Sequence, residues 1–73
     1  MLYNLTKILD TKGYHYNLIN LHRVEVQFIH CTVVFIITDN AYKIYVFDLN
    51  NDIIKQKDYK YVKCAIRYMI LNV

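Results

Sequence analysis

The side chains best suited to chemistry meet in the run FIHCTVVFII, residues 28–37, where His30 adjoins Cys31. An imidazole beside a thiol is raw material for a nucleophile–base pair or for a zinc site. An extended chain opposes the first use, because neighbours in a strand point to opposite faces. No glycine-rich elbow or helix start lies nearby to activate a thiolate. The expectation is a buried Cys31 and a His30 placed at a bulge. Metal binding has five possible ligands, His15, His22, His30, Cys31 and Cys64, and none shows the close spacing of known zinc motifs. Glu25 is the sole glutamate, and Asp10, Asp39, Asp48, Asp52 and Asp58 fall at expected turns or element ends. Gly13 is the only glycine, so there is no phosphate-cradling loop. The sequence therefore reads as a protein that is not an enzyme, with no catalytic residue, no metal and no cofactor.

A binding constellation is more visible. At 100° per residue, Lys60, Lys63 and Arg67 line one stripe of an expected C-terminal helix, with Tyr61 and Tyr68 beside it. Cations interleaved with aromatic rings suit phosphates and bases, or an acidic protein partner. From Lys55 to Arg67 there are five cations and one acid, Asp58, so the basic character of the chain concentrates there.

The elements that must carry these residues follow from periodicity. Leu2, Leu5, Ile8 and Leu9 share a face at helical spacing, Asn4 is a candidate cap, and Gly13 stands where a helix-terminating glycine belongs. The period then changes to two. Tyr14, Tyr16 and Leu18 alternate with polar residues, as do Val24, Val26 and Phe28. A break near Ile29–Thr32 predicts a bulge or tight turn before a strand at 33–38. Asp39-Asn40 reads as a two-residue hairpin turn whose residues tolerate positive φ. That register places Val33, Phe35 and Ile37 on one face with Val46, Ile44 and Tyr42. Asn50-Asn51 predicts a second turn, and residues 53–57 a short edge strand protected by Lys55 and Lys57, with a longer helix starting at Asp52 as the alternative. Asp58 is the expected N-cap of a last helix at 59–71, whose apolar face is Val62, Ala65, Ile66, Met69 and Ile70. The fold expected is α+β: a short N-terminal helix, an antiparallel sheet of three to four strands and a C-terminal helix, with both helices on one face of the sheet. This order is similar to that of the double-stranded-RNA-binding domain. Lys63-Cys64-Ala65-Ile66-Arg67 only grazes the basic pattern of that domain's last helix, and the proline- and glycine-bearing signals between its strands are absent here.

At 73 residues the chain is one small domain, and 56% of its residues are hydrophobic. A chain this short removes only ~60–65% of its unfolded surface from water. Some apolar surface must therefore face a partner. With the helices on one side, the second sheet face keeps Val34, Ile36, Tyr45 and Phe47 uncovered, and a two-fold homodimer is the simplest cover. The longest weakly polar run is Phe28 to Ile37, far short of the ~20 residues of a spanning helix, and MLYNLTKILD lacks the pattern of a signal peptide. No membrane role is expected, and two unpaired cysteines suit the reducing cytoplasm. Ile, Tyr, Asn and Lys supply 32 of the 73 residues, a bias toward AT-rich codons that is common in phages and mobile elements. The functional expectation is a non-catalytic interaction protein, an inhibitor or regulator that binds a larger protein. The alternative is a nucleic-acid-binding module using Lys60, Tyr61, Lys63, Arg67 and Tyr68.

Overall fold

The computed structural model describes all 73 residues. Helix α1 (Leu2–Lys12) is followed by strands β1 (Tyr16–Asn20), β2 (Arg23–Gln27), β3 (Thr32–Ile37), β4 (Tyr42–Phe47) and β5 (Ile53–Tyr59), and helix α2 (Val62–Leu71) closes the chain. The strands form one antiparallel sheet in the order β1-β2-β3-β4-β5. The sheet thus has five strands rather than the three to four expected. All five of the stretches that read as extended are paired, and the two at Tyr16–Asn20 and Ile53–Tyr59 form its edges. Along β1 every residue after Tyr16 is exposed, and along β5 only Tyr59 is not. Strands that bury so little leave a weak alternation in the sequence.

The central register is the expected one. Val33 pairs with Val46, Phe35 with Ile44 and Ile37 with Tyr42. Val24 and Val26 of β2 join the same face opposite Phe35 and Val33. Both helices lie over this face: Leu5 and Leu9 of α1 and Ala65, Ile66 and Met69 of α2 close a single core with these strand residues. Lys55 and Lys57 pair with Val46 and Ile44, so these two lysines also point to the helix side.

The element ends show where local chemistry decides. Gly13 takes a φ of 77°, and the Tyr14 and Gly13 N–H groups donate to the Leu9 and Asp10 carbonyls, the paired bonds of a Schellman stop. Asn4 lies inside α1, one turn from its start, and is not the cap. Asp58 is not an N-cap either. It belongs to β5 opposite Lys43, and the residue capping α2 is Tyr61, which makes no side-chain capping bond. The strand runs on because Tyr59 gains a core-side place opposite Tyr42. The Asp39-Asn40 turn keeps negative φ angles, since Asn51 is the only non-glycine residue at positive φ. Thr38 supplies the closure instead: its N–H donates to the Ala41 carbonyl and its Oγ1 accepts from the Ala41 N–H at 3.1 Å. Asn51 sits at φ 65° in the β4–β5 turn, where the Asp48 carboxylate accepts from the N–H groups of Asn50 and Asp52. No helix is long and apolar enough to cross a membrane.

Candidate functional site

His30 and Cys31 part company. They form the second half of the β2–β3 turn, which the Phe28 N–H closes by donating to the Cys31 carbonyl at 2.9 Å. Cys31 turns into the core beside Val33 and is 7% exposed, while His30 faces solvent. Burial pushes the Cys31 thiol up, away from the thiolate a nucleophile needs. Cys64 is exposed on α2 and unpaired. No group of three His, Cys, Asp or Glu side chains is placed to hold a metal ion. Two phenols are also pushed up. Tyr42 is raised by burial and donates its hydroxyl to the Met1 carbonyl at 2.8 Å. Tyr16 is raised by its hydrogen bond to Asp10, at 2.9 Å, more than by desolvation or the carboxylate's charge. Both phenols tie α1 to the sheet.

The uncovered sheet face gathers the four expected interface residues. Val34 and Ile36 of β3 lie beside Tyr45 and Phe47 of β4, with Val34 paired to Tyr45. The Tyr45 and Phe47 rings are 6.4 Å apart. Val34 is 2% exposed although no layer covers it, and the other three are half-buried, so the patch is already packed laterally. Polar pairs hem it. Arg23 donates to Glu25 at 2.8 Å on the β2 side, Thr32 donates to Gln27 at one end, and Gln56 donates to Asp58 on the β5 side. Lys43 completes the margin between Ile36 and Asp58.

The basic constellation is partly dispersed. Lys60 and Tyr61 precede α2 instead of lying on it, with the Lys60 ammonium 5.9 Å from the Tyr61 ring centre. Lys63 and Arg67 are exposed one turn apart on α2. Tyr68 is half-buried, its ring 5.7 Å from Tyr59 at the edge of the core. Sequence reasoning missed two cations that the fold adds: Lys7 and Lys12 of α1 line the same inter-helix groove as Lys63 and Arg67. Helical spacing could have placed Lys7 and Lys12 on α1, but not beside α2. Seven of the nine cations (Lys7, Lys12, Lys55, Lys57, Lys60, Lys63 and Arg67) belong to the helices, to the helix side of β5 or to the β5–α2 link. Asp10 is the only acid in either helix.

No protein-family model matches the chain, and comparison with curated proteins and with solved structures finds no match.

Proposed function

We propose that the protein is a non-catalytic interaction module whose sheet face centred on Val34, Ile36, Tyr45 and Phe47 is covered either by a second copy or by a larger protein partner. One observation carries this reading: an apolar centre two strands wide lies on the outer face with no layer over it, inside a border of polar groups most of which pair with one another. An apolar core within a polar rim is the anatomy of a protein interface. Tyrosine suits that use, since it brings a large rigid area with one polar tip. A small domain acting this way works by occupying a surface of its partner, as an inhibitor or regulator does. Nucleic-acid binding draws support from the basic helix side and from the exposed rings of Tyr3 and Tyr61, each with a lysine beside it, but Tyr68 is packed on Tyr59.

Light scattering at micromolar concentration tests the self-pairing alternative. The expected result is twice the 8.8 kDa chain mass, returning to monomer in Ile36→Lys and Phe47→Lys with unchanged circular dichroism. An unpaired lysine at a closed apolar interface costs several kcal/mol, which is enough to split it. A wild-type monomer at these concentrations overturns the dimer. Pull-down from lysate with and without nuclease tests the partner: retention after nuclease, lost in Phe47→Lys, is the outcome expected.

A further inference from the structure

The helix layer carries a second surface of different chemistry. A groove of about 650 Å³ runs between α1 and α2. Its floor is aliphatic: Ile8 from α1, and Ile66, Ile70 and Leu71 from α2. Ile66 is 3% exposed and recessed, while Ile70 and Leu71 stand open at 42% and 74%. Its walls are cationic on both sides, Lys7 and Lys12 from α1 facing Lys63 and Arg67 from α2. No acidic side chain lines it. The nearest acid along α1, Asp10, spends its carboxylate on the Tyr16 hydroxyl. The one ion pair of the protein, Arg23–Glu25, belongs to the opposite sheet face. Lys63 and Arg67 are like charges one turn apart, a spacing that weakens a helix unless a counter-charge arrives.

An aliphatic floor between cationic walls selects a ligand with an apolar centre and anionic flanks. A nucleic acid brings the anions but wants rings to stack on, and no aromatic residue lines this groove. A bilayer surface meets apolar side chains that protrude together, whereas here only Ile70 and Leu71 stand open, at one end, and Ile66 is recessed between the cationic walls. An amphipathic helix fits on both counts, since its apolar stripe enters a groove while its charged flanks rise along the rims. The two host helices are 11 and 10 residues long, or about 15 Å each, room for about three turns of a third helix.

We propose that the α1–α2 groove receives an acidic amphipathic helix of a partner protein, its apolar stripe lying on Ile8, Ile66 and Ile70 and its carboxylates pairing with Lys7, Lys12, Lys63 and Arg67. This surface lies on the opposite side of the sheet from the Val34–Phe47 patch and stands or falls separately from it.

The test uses the full chain and a fluorescein-labelled synthetic peptide. The peptide places leucine at helical i, i+3, i+4 and i+7 positions with glutamate on both flanks; a scrambled peptide has the same composition. Fluorescence anisotropy is expected to show saturable binding of the patterned peptide that weakens with salt. Lys63→Glu/Arg67→Glu should reduce that binding at least about tenfold, because like charges then face each other, and should instead take up a lysine-flanked version of the peptide. Lys7→Glu/Lys12→Glu gives the same loss from the other wall. Ile36→Lys, on the far sheet face, leaves binding unchanged. Equal binding of the scrambled peptide, or no effect of either double reversal, overturns the proposal. So does tighter binding of phosphatidylserine vesicles or of a short single-stranded oligonucleotide than of the patterned peptide.

Discussion

Cys31 shows how a residue chosen for reactivity is spent on packing. Its sulfur fills the end of the core next to Val33, and its proton is held there by burial above the ordinary value of 9.0. Tyr42 behaves alike above the ordinary 10.0, buried under α1 with its hydroxyl on the Met1 carbonyl. The linkage has a definite sign. Both groups are neutral when protonated, and both hold the proton more firmly folded than unfolded. Their contribution is complete below the unfolded values and is lost as pH rises through the folded ones. Tyr16 adds to the same trend, because only the protonated phenol can donate to Asp10. Urea midpoints measured at stepped pH should therefore hold steady from neutral to about pH 9 and fall beyond it. In Cys31→Ala the first part of that fall should be shallower. A midpoint that rises through this window would contradict the burial of both groups.

Each element is as stable as the face it buries. Ile66 on α2 and Ile44 on β4 lie at 3% and 0% exposure in the shared core. Truncating either to alanine should cost about 2–4 kcal/mol, a large share of the roughly 4–11 kcal/mol expected for a domain this size. Ile36→Ala, on the half-buried outer face, should lower the chemical-denaturation midpoint of the monomer much less. The same logic explains what could be read without coordinates. Strands β2, β3 and β4 and the inner faces of both helices bury one side, so they write their period into the sequence. The register Val33–Val46, Phe35–Ile44 and Ile37–Tyr42 was legible for that reason. Strand β5 buries almost nothing before Tyr59, so Asp58 looked like a cap when it is a strand residue facing Lys43. The outer patch was legible because Val34, Ile36, Tyr45 and Phe47 fall on one parity of two paired strands. The groove was not, because Lys7 and Arg67 come to line one groove only once α1 and α2 have both docked on the sheet.

For the whole molecule, the sheet divides two chemistries. Its helix side holds most of the positive charge, and its outer side balances Arg23 and Lys43 against Glu25 and Asp58. The modest net charge of +3 hides this separation. A field of this sign would draw an anionic partner to the helix side from about one Debye length, ~8–10 Å at physiological ionic strength. The contact proposed for the outer face would depend instead on apolar fit and respond little to salt. One small domain thus offers two surfaces that ionic strength can tell apart.

The order of the strands governs how the molecule comes to be. Each strand bonds only to its neighbours along the chain, so hairpins zip one after another and no pairing waits for a distant segment to arrive. The long reaches are made by the terminal helices, with Tyr42 and Met1 joined across 41 positions. Proteins dominated by such local pairing fold in about milliseconds or faster. The chain has no proline, which removes the isomerisation that delays many small domains by tens of seconds. Stopped-flow refolding should accordingly recover the full monomer signal in one fast phase. If two copies pair through the outer face as proposed, a slower phase should appear that quickens as protein concentration rises.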